Sequence, residues 1–355
     1  MSEYFQQQSN AKIHYGDVDL DERIIDSEPP ITPFRTPYLQ NMDLELPNGA
    51  VIKSCRGHGA SNWNRTARLD FEIDGQLHSY FLKILTGPKG LPMVHGEYES
   101  MRLIHESIPN FSPKPLAWGS CADPTHHFIL FTFHELSQGL PPIPQFVNAV
   151  AQLHTVKRNP NGKFGFHITT YNGTLAQDNA WCDTWEEFYV KGMERILELE
   201  EEARGLNSEL RKISAPFLSK VIPRLLRPLE TQGRKIDPVL IHGDLWIGNV
   251  SVQAGSCDPL MFDASAFWGH NEYELSTMRP LNNEWAGECM ESYHALIPKS
   301  EPIEDWDARN SLYAIRTYAH DSALYPDEPK FRKKLMEEMQ NLVAQFAEDH
   351  NEARG

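Results

Sequence analysis

Val239-Leu240-Ile241-His242-Gly243-Asp244-Leu245-Trp246-Ile247-Gly248-Asn249 carries an apolar strand straight into a loop of the form H-x-D-x-x-x-x-N. Two readings of Asp244 and Asn249 stand side by side. Both residue types cap turns, because their short side chains bond to nearby backbone. The same pair, five residues apart, also serves phosphoryl transfer, where the Asp takes the acceptor's hydroxyl proton and the Asn holds a metal ion. The spacing alone does not choose between them.

The residues downstream favour the second reading. Asn249-Val250-Ser251-Val252 reads as a short strand, 253–259 as a turn containing Gly255 and Pro259, and Leu260-Met261-Phe262 as the returning strand. A hairpin centred near Ser256 sets Asn249 opposite Asp263. Two oxygen donors at one end of a hairpin suit Mg²⁺, which takes one or two protein ligands and completes its shell with phosphate and water. A carboxylate that merely ends an edge strand is the plainer alternative for Asp263.

Upstream, Tyr80-Phe81-Leu82-Lys83-Ile84-Leu85 places one lysine within an apolar strand. Either Lys83 snorkels from a strand end or a carboxylate neutralises it, since an unpaired buried ammonium is costly. The predicted helix over 93–106 offers that carboxylate. On a 3.6-residue period Val94, Glu97, Met101 and Ile104 share one stripe, and His95, Glu99, Arg102 and Glu106 share another. Glu97 is the only charge on the apolar stripe, so it is expected to face Lys83. A strand Lys paired with a helix Glu is the phosphate-orienting pair of kinases. Cys55-Arg56-Gly57-His58-Gly59-Ala60-Ser61-Asn62 supplies G-x-G between two predicted strands, with Asn62 where a third glycine would stand. Gly57 and Gly59 fit a phosphate-covering hairpin or an ordinary turn. No G-x-x-x-x-G-K-[ST] is present, which disfavours the P-loop fold.

The remaining sequence sets the frame. A chain of 355 residues exceeds one average domain. Residues 1–40, polar and rich in proline, read as an irregular arm. A β-rich lobe follows over 41–137, with strands at 50–55, 66–73, 79–85 and 128–133. The proline-rich stretch 138–144 reads as a linker. A mostly helical lobe covers 138–350, with helices at 145–156, 185–204, 208–226 and much of 284–348. The expected fold is therefore α+β and bilobal, of the protein-kinase-like kind. With 49 acidic against 33 basic residues, the net charge of −16 repels nucleic acid and anionic membranes. No signal-peptide layout opens the chain, and no apolar run approaches the ~18 residues of a membrane span. Five scattered cysteines without a C-x-x-C pair read as reduced thiols. The cytoplasm is the expected compartment, and the sequons at Asn64 and Asn172 are then accidental. Nothing in the sequence fixes an oligomeric state.

The segment His242 to Asn249, with Leu-Trp-x-Gly inside it, resembles the fructosamine-3-kinase (ketosamine or protein-ribulosamine 3-kinase) family, relatives of aminoglycoside phosphotransferases. Phe262-Asp263-Ala264-Ser265-Ala266-Phe267-Trp268-Gly269-His270-Asn271-Glu272-Tyr273-Glu274-Leu275 is similar to that family's F-D-P-A-x-[FY]-x-G-H-x-E-Y-E-L stretch. Leu153-His154, Phe164-Gly165-Phe166, Asn179-x-Trp181 and Trp185-x-x-Phe188-Tyr189 fall in the family's order, so the resemblance spans roughly 48–345. It implies transfer of the ATP γ-phosphoryl group to the 3-hydroxyl of a ketosamine, free or protein-bound, leading to deglycation. Carried over by position, Asp244 is the base, Asn249 and Asp263 hold Mg²⁺, and Lys83 with Glu97 orients the phosphates under Gly57 and Gly59. Thr132, Phe133 and His134 bind adenine, and Trp246, His242, Trp181 and Glu272 serve the acceptor. Trp246 could equally pack under its own loop.

Three positions depart from the family pattern. Ala264 replaces a proline, Ala60 stands where several members carry a loop cysteine, and 276–283 lacks the usual small, glycine-containing segment. The last departure bears on substrate choice. A phosphotransferase for another amino sugar, an aminoglycoside or a small metabolite is the alternative, and a non-catalytic binding protein of the same fold is the third reading.

Overall fold

Asp74-Gly75 makes the tightest turn of the first sheet, and the backbone shows why this pair was needed. Both residues adopt positive φ (51° and 78°), the geometry of a two-residue hairpin loop whose twist matches its strands. The computed structural model describes residues 51–60, 64–121, 124–137, 139–156, 159–281 and 284–347. The arm expected over 1–40, and Ser61 and Asn62, lie outside them.

Strands β1 (Val51–Ala60), β2 (Asn64–Ile73) and β3 (Gln76–Thr86) form consecutive antiparallel pairs. Helix α1 (Gly90–Ser107) follows, then β4 (Pro115–Ser120) and β5 (His126–Thr132). The sheet order is β1-β2-β3-β5-β4. Its core is Leu69, Phe71, Ile73, Leu82, Leu116, Ala117, Phe128 and Leu130. Each large side chain there contributes about 1.5–3 kcal/mol by leaving water. Asp70 is buried on β2, where Ser54 and Ser79 hydroxyls and the Arg68 guanidinium bond its carboxylate. Ser54 foremost holds its pKa well below the usual range.

The chain divides into two units. The first runs to Tyr98 and includes Pro115–Phe133; the second comprises Glu99–Lys114 and everything from His134 onward. The second unit opens with β6 (Leu136–Ser137) and α2 (Ile143–Val156). Helix α2 begins two residues before the expected start at 145. Pro144 sits in its first turn, where a missing N–H costs nothing. A short hairpin, β7 (Tyr171–Asn172) and β8 (Leu175–Ala176), precedes α3 (Trp185–Arg204), whose cap Thr184 accepts from Glu187 N at 3.2 Å. The region expected as one helix over 208–226 is α4 (Ser208–Pro216), a π-turn at Phe217–Val221, and α5 (Ile222–Leu226). Pro216 and Pro223 interrupt the regular ladder there.

Then come β9 (Val239–Ile241), β10 (Val250–Gln253), β11 (Pro259–Met261) and β12 (Phe267–Gly269). Strand β9 pairs with β12, and β10 lies between β11 and β6. Helices α6 (Asn271–Glu274), α7 (Glu284–Leu296), α8 (Trp306–Leu324) and α9 (Pro329–Phe346) complete the fold. An aromatic core fixes the β9–β12 pair: Trp185 stacks towards Phe267 and meets Tyr273 and Tyr313 edge-on. Its indole N–H donates to Tyr313 Oη at 2.8 Å. The architecture is α+β, an antiparallel sheet followed by a helical region. No helix among the described residues is long and apolar enough to cross a membrane.

Candidate active site

Buried strand β9 ends at Ile241, and the next residue begins a loop held by backbone bonds, such as Ser265 N to His242 O at 3.0 Å, and by side-chain bonds to backbone. His242 N and Gly243 N both donate to the Glu274 carboxylate, the second at 3.0 Å. His242 donates from Nε2 to Phe262 O (2.9 Å), which leaves Nδ1 to accept from Asp244 N (3.4 Å). Burial keeps this imidazole neutral by pushing its pKa down, consistent with that tautomer. Gly243 is required by space as well as by conformation. Its φ is 81°, and a Cβ there would lie 2.3 Å from Ser265 O.

Asp244 projects from this loop, half-buried. Asn172 of β7 donates to its Oδ1 at 3.0 Å, and Asn249 donates to its Oδ2 at 3.0 Å and to its backbone O at 2.8 Å. Burial raises its pKa well above the ordinary carboxylate range. The charges of Asp263 and Asp321 push the same way, and the two amide donors oppose them. Each oxygen already accepts one hydrogen bond and keeps a lone pair for a proton. A carboxylate made more basic but still held in place is what a general base needs.

The β10–β11 hairpin pairs Val250 with Met261 and Ser251 with Leu260. Continued outward, this register sets Asn249 opposite Phe262, whose N–H donates to Asn249 O at 3.1 Å. Asp263 follows one residue beyond, not directly opposite as expected. A left-handed φ of 61° turns it out of the strand, a conformation that costs a non-glycine residue about 1–3 kcal/mol. Asp263 is exposed. The Asn249 amide nitrogen is committed to Asp244, so its oxygen is the atom left to act as a ligand. Two hard oxygen donors of this kind fit Mg²⁺.

In the first unit, Lys83 is buried on central strand β3, and its Nζ donates to Glu97 Oε1 at 2.7 Å. Glu99, on the polar stripe, instead pairs with Arg102 and His167. Gly57 and Gly59 lie near the end of β1, flanking an irregularity in its pairing with β2. Thr132 ends β5, and Phe133 N donates to Ser79 O at 3.3 Å while its ring packs under Arg68. His134, the next residue, is half-buried and begins the second unit.

The four acceptor-side residues separate. Trp246 is 39% exposed, and its ring covers Gly248, where a Cβ would collide at 2.3 Å. The glycine two residues on is thus what leaves room for the indole against its own loop. Trp181 is 40% exposed but packs by Gly165, and among the described residues no hydrogen bond or ring contact brings it to Asp244. Glu272 and His242 are corrected in kind. Both are almost wholly enclosed and have no surface to offer an acceptor. Glu272 accepts from Arg309 Nε at 3.0 Å and Ser300 N at 2.7 Å.

Three participants escaped the sequence reading. Asn172 entered it only as an accidental sequon, yet it holds Asp244. Glu274 was one letter in a family stretch, yet it anchors the loop. Thr277, in the divergent 276–283 segment, bonds Leu245 O at 2.5 Å. That contact puts the segment beside the loop.

A family model for fructosamine kinases matches residues 53–345. The ketosamine-3-kinase of Mus musculus is 37% identical over 159 residues, which covers 44% of this chain and 47% of the mouse protein. The chain thus spans about half the length of that relative. The chloroplastic protein-ribulosamine 3-kinase of Oryza sativa subsp. japonica is 27% identical over 254 residues, covering 70% of this chain and 68% of the rice protein. Among solved structures, a fructosamine-3-kinase candidate from Thermobifida fusca superposes with a TM-score of 0.67 at 21% identity, covering 83% of this chain and 95% of that one.

Proposed function

This chain belongs to the fructosamine kinase family, and we propose that it transfers the γ-phosphoryl group of ATP to the 3-hydroxyl of a ketosamine. The observation that carries this reading is Asp244, held by amide donors on both oxygens and made more basic by burial. The 3-hydroxyl oxygen bonds to the γ-phosphorus as the bond to the bridging oxygen of ADP breaks, and the hydroxyl proton passes to Asp244. Enolisation of the product towards C1 then expels phosphate from C3, and hydrolysis frees the amine.

Lys83, neutralised by Glu97, is assigned to orient the phosphates, with the backbone at Gly57 and Gly59 near them and the Thr132–His134 backbone for adenine. Asn249 and Asp263 would hold Mg²⁺, which when bound neutralises charge on the phosphate oxygens. His242 and Glu274 keep Asp244 in register with Asp263. The part-exposed ring of Trp246 offers a platform for a sugar or its cationic amine. Free thiols at Cys121, Cys182, Cys257 and Cys289 support a reducing compartment such as the cytoplasm.

Incubation with ATP and either a fructosyl- or a ribulosyl-amine, followed by phosphorus NMR, tests the reaction. A 3-phosphate adduct is expected from at least one. No adduct from either, alongside rapid phosphorylation of an aminoglycoside, would replace this reading with the amino-sugar alternative. For the metal, Asp263→Asn is expected to raise the Mg²⁺ concentration needed for half-maximal ATP binding by about 10-fold or more, through loss of a charged ligand. Unchanged metal dependence in a calorimetric titration would remove Asp263 from that role.

A further inference from the structure

Asp321 lies in the last turn of α8, and three features of its position disfavour a negative charge. It is half-buried, and burial pushes its pKa up to about 7. The C-terminal turn of a helix carries partial negative charge, and α8 has no basic residue there to offset it. The charge of Asp321 also acts against that of Asp244. Among the described residues no donor bonds its carboxylate. The cation acting on it is Lys330 of α9, itself exposed and 3.7 Å from Glu328. On its own helix, Tyr318 feels its charge as well.

Packing brings its turn of α8 to the hairpin that supports the base. Leu324, one turn on, meets Gly173, where a Cβ would stand 3.0 Å from Leu324 Cδ2. Gly173 follows Asn172, the residue bonded to Asp244. Asp321 thus lies one helical turn from the hairpin that holds the base, close enough for its charge to act on Asp244.

We propose that Asp321 is a specificity-determining residue that receives the protonated amine of the acceptor. The inference rests on the ketosamine reading above and extends it. In a ketosamine the amine is on C1, and C2 alone separates that carbon from the C3 that bears the reacting hydroxyl. A substrate that puts its hydroxyl on Asp244 therefore brings its ammonium group into the same neighbourhood. The ammonium supplies the donors that the carboxylate lacks, and it offsets the repulsion between the two aspartates. Asp321 acts on binding and orientation; Asp244 alone takes the proton.

The test compares two acceptors on the full chain, a fructosyl-amine with a basic secondary nitrogen and its N-acetylated counterpart, whose nitrogen is neutral. Asp321→Asn is expected to raise KM for the basic acceptor about 10- to 100-fold. It should leave kcat and the KM of the acetylated acceptor within about 3-fold, a change small enough to exclude loss of an ion pair. The variant should also melt higher than the wild type at pH 8 and no higher at pH 4, because the removed charge is present only at the higher pH. That comparison shows that the variant folds. Equal losses on both acceptors, or no loss on either, would overturn the proposal while leaving the kinase reading intact. Phosphorylation of neither acceptor by the wild type would overturn both.

Discussion

Asp244→Asn is expected to lower turnover by about 10²–10⁴-fold, the range that a positioned general base supplies, without lowering the melting temperature by more than a few degrees. The asymmetry follows from how the carboxylate is held. Its two oxygens accept from Asn172 and Asn249. An asparagine at 244 keeps one of those acceptors and turns an amide nitrogen towards the other donor, so one hydrogen bond is lost. The charge that burial disfavours is removed at the same time. Because the folded pKa of Asp244 is raised, its ionisation costs stability above that pKa and costs nothing below the unfolded value near 4. The melting temperature of the variant relative to wild type should therefore improve as pH rises from 4 to 8. Single-turnover kinetics and calorimetry at both pH values measure the two effects. Turnover within 10-fold of wild type would move the base elsewhere.

Much of this site was legible because its chemistry depends on local periodicity. Glu97 was separable from Glu99 by helix phase alone, and the 2.7 Å bond to Lys83 joins the residues that phase selected. The Asp244–Asn249 spacing and the hairpin after it were readable for the same reason, since strand and turn residues repeat on short periods. The hairpin register was one residue out, because Asp263 leaves the strand in a left-handed conformation that no spacing announces. What stayed hidden depends on contacts distant in sequence. Asn172 is 72 positions from Asp244, and nothing near it in the chain marks it for that role. Asp321 shares α8 with a buried stripe that includes Leu312, Tyr313, Ile315 and Ala319. As a charged residue off that stripe it reads as a solvent-facing side chain. Glu272 and Glu274 are two residues apart and equally acidic, and only their partners distinguish them.

That last pair yields a prediction in which stability and catalysis separate. Glu274→Gln replaces one carboxylate oxygen with a donor that must face His242 N or Gly243 N, so one buried N–H loses its acceptor. The lost charge-assisted bond and the unpaired donor together cost roughly 3–5 kcal/mol. A drop of about 10 °C in melting temperature follows for a chain of this size. Because the broken bonds hold the two residues before Asp244, kcat should also fall about 10- to 100-fold at a temperature where the variant is still folded. Glu272→Gln makes the control. Burial pushes the Glu272 pKa up, but His270, Arg309 and the Ser300 N–H together hold it below the ordinary value. The variant strips a fully buried arginine of its counter-charge, a loss of about 3–5 kcal/mol. Among the described residues, no hydrogen bond links its partners Arg309 and Ser300 to the 242–249 loop. Glu272→Gln should thus match Glu274→Gln in lost stability while keeping kcat. If both variants lose kcat alike, Glu274 acts through general loosening of the fold; if neither does, the loop does not depend on that carboxylate to present Asp244.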